Sequence, residues 1–328
     1  MNIIEQYENY IQNKFPKINM YPFSLEKKMP WIRFELGIPG INHISKSEYM
    51  KTVYDRAISI FENVNDANDD IFLFILDYGN HHKMKNYKKI KLFDRYLKDS
   101  KLKYKINIVK TNSYDEVEEE VTLTYILKCK ISDLNYPKLL NSIAHSDFLI
   151  RPYISQSCYI INTTKNKIYH MYDDRGLDIF SNSQETIRDA YEKYNYWIFD
   201  YDRLDIDNDF ETGLCGMEES IEEKQIREEK DKEILRQLEK VNISIELPHQ
   251  PKHRFLIENK KTNSEHLINH LNKMGYSTSV QEQNQNFSIV TSTKTCQLFA
   301  HQVSIQSRLM DLIAKKFDVK YDGWDLNK

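Results

Sequence analysis

A chain of 328 residues exceeds one average domain, and 40% hydrophobic with 29% charged residues is the composition of a globular protein that can bury a core without disulfides or metals. The longest apolar run, Ile71 to Leu76, is far too short to span a membrane, and the net charge of −3 argues against a dedicated nucleic-acid binder. Only 8 glycines occur, with no G-x-G-x-x-G and no G-x-x-x-x-G-K, so kinase, P-loop and nicotinamide-cofactor chemistries drop out.

The first residues are acidic where a secretory signal needs a basic and then an apolar stretch, which leads to an expectation of a cytoplasmic protein. Cys129, Cys158, Cys215 and Cys296 are dispersed, so neither a zinc ribbon nor a disulfide framework is expected.

In chain order, Ile4, Tyr7 and Ile11 mark an amphipathic helix that stops at Phe15-Pro16, and Trp31 to Leu36 reads as a strand. Ser45-x-x-Glu48 is a capping box before a helix carrying Met50, Val53, Tyr54, Ala57 and Phe61. Ile71 to Tyr78 is a continuous apolar strand ended by Gly79-Asn80, and Val121 to Lys128 alternates as a half-buried one. Pro137 opens a short helix, and 158–162 with 167–172 forms a hairpin around Thr164 to Asn166. A capping box at Ser181-x-x-Gln184 precedes a helix with Ile187, Ala190, Tyr191 and Tyr194.

Between Glu218 and Lys240, 15 of 23 residues are charged, with Ile234, Leu238 and Val241 as a thin apolar stripe. This reads as a solvated connector helix, and Pro248 and Pro251 mark a hinge after it. The remainder follows the order β-α-β-β-α-β: Arg254–Glu258, a helix capped at Thr262-x-x-Glu265 and stopped by Gly275, strands at 277–281 and 287–291, a long helix, and a last strand at 317–321. The fold expected is α+β: a mixed α/β domain over 1–212, a charged connector helix over 213–247, and a ferredoxin-like βαββαβ domain over 248–328. Such a plan names no function by itself.

Carboxylates concentrate from Asp173 to Asp209 and could in principle serve a carboxylate- or metal-dependent hydrolase. The run Asp205-x-Asp207-x-Asp209 begins like a calcium loop, but its sixth and twelfth positions are Phe210 and Gly216 where Gly and Glu are needed. A structural ion-pair role fits Asp174, Arg175, Asp200, Asp202 and Arg203 better. His266 and His270 are four apart on a helix, as are His249 and His253 in a Pro-containing stretch, yet no H-E-x-x-H pattern completes either pair. No catalytic residue, metal ligand or cofactor site is assigned. Trp324, after Asp322-Gly323, is either a binding anchor or a plug over the core edge.

Phe317-Asp-Val-Lys-Tyr-Asp-Gly-Trp324, preceded by Leu309-Met310 and Lys315-Lys316, resembles the regulator of ribonuclease E activity, the RraB family, and the likeness reaches back through Gly275-Tyr276 and 253–257 to the charged helix. That resemblance implies a ferredoxin-like domain that binds a ribonuclease and alters its activity without catalysis. Stand-alone members continue into a very acidic tail, whereas this sequence closes on Asp325-Leu-Asn-Lys328, so the partner need not be ribonuclease E itself. The first domain is similar to domain of unknown function 3885 at Trp31-Ile-Arg-Phe-Glu-Leu-Gly37, Tyr172-Asp-Asp-Arg-Gly-Leu-Asp178 and Trp197-Ile-Phe-Asp-Tyr-Asp-Arg203, a likeness that implies no activity.

The expected function is a protein-binding inhibitor, either a ribonuclease regulator or an immunity protein against a basic nuclease or toxin. Tyr321, Asp322, Gly323, Trp324 and Asp325 are the expected contact residues, and no membrane is involved.

Overall fold

The structure is a computed structural model, described here for all residues except 21–22, 26–28, 39–44, 80–90, 115–118, 211–218, 259–262, 284–286 and 327–328. Asn80, Cys215, Gly216 and Thr262, which the sequence singled out, lie outside the described residues. Two compact units emerge: Met1–Gly37 with Met50–Lys193, and Ile38–Tyr49 with Tyr194–Lys328. None of the described helices is long and apolar enough to cross a membrane.

The first unit begins with α1 (Ile3–Lys14), closed at its start by an Asn2–Glu5 capping box and at its end by Phe15. A short ribbon of β1 (Asn19–Met20) and β2 (Phe23–Ser24) follows. The main sheet is built from β3 (Trp31–Glu35), β4 (Asp70–Gly79), β5 (Asn107–Tyr114), β6 (Glu119–Lys130), β7 (Ser157–Asn162), β8 (Lys167–Met171) and β9 (Gly176–Ser181). Its spatial order is β3-β9-β8-β7-β4-β6-β5, and every neighbouring pair is antiparallel. Strand β4 is apolar on both sides because both faces are covered. On one, Tyr7 of α1 packs its ring against Phe72 and Phe74. On the other, Phe61 of α2 (Lys46–Val64) meets Tyr169 and stacks on Tyr136 of α4 (Tyr136–Ala144). Between β4 and β5 lies α3 (Lys91–Tyr96), whose Phe93 contacts Tyr125, and α5 (Gln184–Lys193) closes the unit.

Two sequence readings shift here. Ser181 is the last residue of β9 and wholly buried, so the helix begins at Gln184 without a cap from Ser181. Strands β5 and β9 were not anticipated: Leu177, Ile179 and their neighbours sit beside the acidic run, which masked their alternation.

In the second unit, α6 (Arg203–Phe210) and α7 (Ile221–Lys240) precede a four-stranded sheet. Its elements are β10 (Lys252–Glu258), α8 (Asn263–Lys273), β11 (Ser277–Glu282), β12 (Phe287–Thr293), α9 (Ala300–Lys316) and β13 (Lys320–Asp325). The order β11-β12-β10-β13, antiparallel throughout, is the ferredoxin-like arrangement of two interleaved βαβ units. Phe255, Ile257 and Val290 from the sheet bury against Leu267 and Leu271 of α8 and Leu309, Met310 and Ile313 of α9.

The last strand starts later than its apolar residues imply. Asp318 takes a left-handed conformation (φ 51°) just after α9, so Phe317 and Val319 pack at the helix end and pairing begins at Lys320. Asp322-Gly323 is therefore a bulge inside β13 rather than a turn after it. Tyr321 pairs with Phe255 and Trp324 with His253, leaving two residues opposite Arg254, and Gly323 supplies the positive φ of 93° that the bulge needs.

A second core cluster changes the reading of the connector. Leu238 of α7 buries with Cys296, Leu298, Val303 and Trp324, with Ile234, Ile243 and Ile245 packed around them. Leu204 of α6 packs on the main cluster, and Gly275 comes so near Tyr196 that an added Cβ would lie 3.1 Å from the Tyr196 Cβ. The contacts thus divide the chain at Lys193/Tyr194, with 194–210 and α7 grouped with the ferredoxin-like domain. A fragment of residues 194–328 should unfold cooperatively in urea, monitored by circular dichroism. Residues 248–328 alone, lacking Leu238 and Ile234 over Trp324, should melt far lower or not cooperatively. Equal stability of the two fragments would mean that α7 is not part of the core.

Candidate functional site

The five residues expected to form a contact surface lie together on β13, but in different roles. Trp324 is buried, with 5% of its surface exposed, and its indole N–H donates to Asp231 Oδ1 at 2.8 Å. Tyr321 is half-buried on the main core, its hydroxyl 2.7 Å from His253 Nδ1. Asp325 pairs with Arg254. Asp322 is exposed, and an added Cβ at Gly323 would meet nothing within 4 Å, so the bulge presents open backbone.

All of these but Asp325 form one wall of a cleft of about 410 Å³. The opposite wall is α7, through Glu223, Ile226, Lys230, Glu233 and Ile234, and Ser307 and Asp311 of α9 lie between. Ser220 and Glu223 form a reciprocal capping box that starts α7, an S-x-x-E signal present in the sequence. Hydrogen bonds from Lys315 and Ser220 hold the Glu223 carboxyl down to about 2.

Beneath the cleft lies a buried polar network. The Arg227 guanidinium donates to both oxygens of Glu219, at 2.5 and 3.0 Å, and through Nη1 to Asp231 at 3.3 Å and to Ser304 and Ser307. Asp231 also accepts from Ser307 Oγ at 2.6 Å. Burial lifts the Asp231 carboxyl above its ordinary range, against the hydrogen bonds of Ser307 and Trp324 and the Arg227 charge. Burial also works against charge on Arg227, but Glu219 keeps its guanidinium above its ordinary value. Sequence reading missed this wall. Arg227, Asp231, Ile234 and Leu238, at offsets of four, seven and eleven, share one helix face, a signal obscured by the charge density around them.

Most residues of the acidic run are committed to structure. Arg175 pairs with Asp173 and, at 3.5 Å, with Asp147; Asp174 is buried. Asp178 takes a two-pronged bond from Arg33 at 2.7 and 2.8 Å. In the second unit, Asp200 binds Lys294 at 2.7 Å, and although burial raises its carboxyl, the Lys294 and Arg203 charges bring it below the ordinary range. Arg203 is wholly buried, donates to Asn195 Oδ1 and to the Asn195 carbonyl, and lies 3.7 Å from Asp207. Asp202 is buried at the start of α6, where its carbonyl accepts from Ile206. Asp205, Asp207 and Asp209 stand on α6, not on a loop. Among the described residues, no group of three His, Cys, Asp or Glu side chains is placed to hold a metal ion.

Three of the four spaced histidines have partners of their own. His249 Nε2 lies 2.6 Å from the Ser244 carbonyl, and the His270 ring tilts against Phe317. His253 is buried beside Tyr321 and Tyr276, and burial pushes its imidazole down to about 4, although Asp200 and Gln306 favour the charged form. The unfolded chain takes up this proton near pH 6.5, the folded one only near 4, so stability should fall as pH drops through that window and be level above it. Urea unfolding at about pH 7.5 and about pH 4.5 should differ by about 2 kcal/mol or more from this residue. His253→Gln should remove that share, and an unchanged pH difference in the variant would exclude His253 as its source.

Cys129 and Cys158 are buried, and burial pushes both thiols up to about 12, the opposite of a nucleophile.

Residues 228–326, which include the second half of α7 and the whole of β13, match the family described as "Regulator of ribonuclease activity B". Residues 7–202 match "Domain of unknown function (DUF3885)". "Uncharacterized protein YnaE" of Bacillus subtilis (strain 168) is 30% identical over 216 residues, covering 61% of this chain and 99% of that protein. With more than half its length, residues 7–202, inside the DUF3885 match, and most of the core strands in it, the chain belongs to the DUF3885 family.

Proposed function

We propose that this chain is a cytoplasmic, non-catalytic regulator that binds a ribonuclease through its ferredoxin-like domain and lowers its activity. The observation that carries this reading is the match of residues 228–326 to a ribonuclease-regulator family, over the same residues that build β13, α9 and half of the α7 wall of the cleft. The commitments of the acidic side chains support it: Asp173, Asp178, Asp200 and Asp207 face cations of the same chain, where a hydrolase would keep a carboxylate pair turned to substrate. The DUF3885 domain carries no activity in this reading.

The test is a titration of the full chain into a purified ribonuclease E-type endoribonuclease cleaving a fluorogenic RNA. Initial rates should fall and level off near stoichiometric ratios, while the chain alone leaves the RNA intact. An unchanged rate, with no co-elution of the two proteins on a sizing column, would overturn the reading.

A further inference from the structure

We infer that the cleft between α7, α9 and β13 receives a cationic amphipathic segment of a partner protein, with an apolar side chain on Ile226 and Ile234 and lysine or arginine side chains at Glu233 and Asp322. The site stands on its own geometry; its biological role rests on the regulator reading above. Charge decides the class of occupant. Six carboxylates line the cleft against two cations, Arg227 and Lys230. Arg227 is already engaged by Glu219 and Asp231 beneath the surface, and Glu223 and Asp311 share Lys315, at 2.8 and 3.4 Å. At the rim, Asp322 is exposed and makes no ion pair among the described residues, and the Glu233 side chain is half exposed, its nearest cation the exposed Arg236 at 3.5 Å. A nucleic acid or an acidic peptide would meet like charge here, whereas a basic segment meets complementary charge and is steered towards it.

Shape decides the rest. Ile226 is 52% exposed and stands two turns before Ile234 on the same side of α7, a spacing that fits apolar residues i and i+7 or i+8 of an incoming helix. Across from them Gly323 offers backbone without a side chain, so a segment can approach β13 closely. Trp324 forms the floor, held from below by Asp231.

The experiment uses the full chain and a fluorescein-labelled helical peptide of leucines and lysines, read by anisotropy. Saturable binding is expected, weakening about tenfold or more as salt rises from about 50 to about 300 mM. Asp322→Lys and Ile226→Asp, both at exposed positions, should each weaken it about tenfold with the melting temperature held. The same peptide with glutamate for lysine, and single-stranded polyuridine, should not bind. Binding indifferent to both substitutions, or equal capture of the glutamate peptide or the RNA, would overturn the inference. If the peptide fails while the chain still slows the ribonuclease, the cleft is wrong and the regulator reading stands. Peptide capture at the cleft with no effect on any ribonuclease leaves the site and removes the regulator reading.

Discussion

Replacing Trp324 by Ala should destabilise the second unit by roughly 3–5 kcal/mol, the range for truncating a buried aromatic. Two losses combine. The indole leaves a void against Leu238, Leu298 and Val303, and Asp231 loses the N–H that satisfies Oδ1 while remaining buried. A drop on the order of 10 °C in the melting temperature is the expected calorimetric result. Trp324→Phe should recover most of the packing but not the hydrogen bond, and Trp324→Phe combined with Asp231→Asn should be milder than the sum of the two. A Trp324→Ala protein that melts like the parent would show that the side chain is an anchor for a partner and not a plug.

Arg227→Ala should be comparably severe, about 3–5 kcal/mol, because it strands two carboxylates below the surface. Glu219 and Asp231 both lose their guanidinium partner, and Ser304 and Ser307 lose a donor. Arg227→Lys should recover little, since an ammonium cannot reproduce the two-pronged contact with Glu219 while reaching Asp231. Acidification should partly rescue Arg227→Ala, because protonated carboxyls tolerate burial, whereas His253 should make the parent lose stability over the same range. Denaturation curves of parent and variant at two pH values test this directly. Parallel loss in both proteins would mean that the network is not what Arg227 supports.

Legibility of the sequence differed between the two units for identifiable reasons. Strands β11 and β12 and helices α8 and α9 follow clean periodicities with a glycine stop at Gly275, so the ferredoxin-like order could be read directly. Helix α6 could not, because its apolar Leu204, Ile206 and Phe210 alternate with aspartates that read as turn residues. Residues 321–325, the expected contact residues, read as the end of a strand over 317–321 and a turn after it, and the opposite wall was not legible at all. Arg227 and Asp231 look like two more solvated charges on a connector until Ser307 and Trp324, remote in sequence, are brought against them. Charge pairing across such distances leaves only the shared helix face of Arg227, Asp231, Ile234 and Leu238, which the surrounding charges hide. The Asp322-Gly323 bulge depends in the same way on the partner strand β10.

The 20-residue helix α7 is fixed to its neighbours through three buried residues, Arg227, Asp231 and Leu238, with Ile234 and Leu235 packed on the same cluster. Two of the three contribute through charge, so the helix should loosen as a unit at a free energy somewhat below that of the sheet it helps to hold. Its amides should therefore exchange with deuterium through a sub-global opening, faster than those of β10 and β12 and with a common free energy along the helix. An occupant bridging α7 and β13 would close that opening, and the slowing of exchange would run the whole length of α7, reporting cleft occupancy far from the residues in contact.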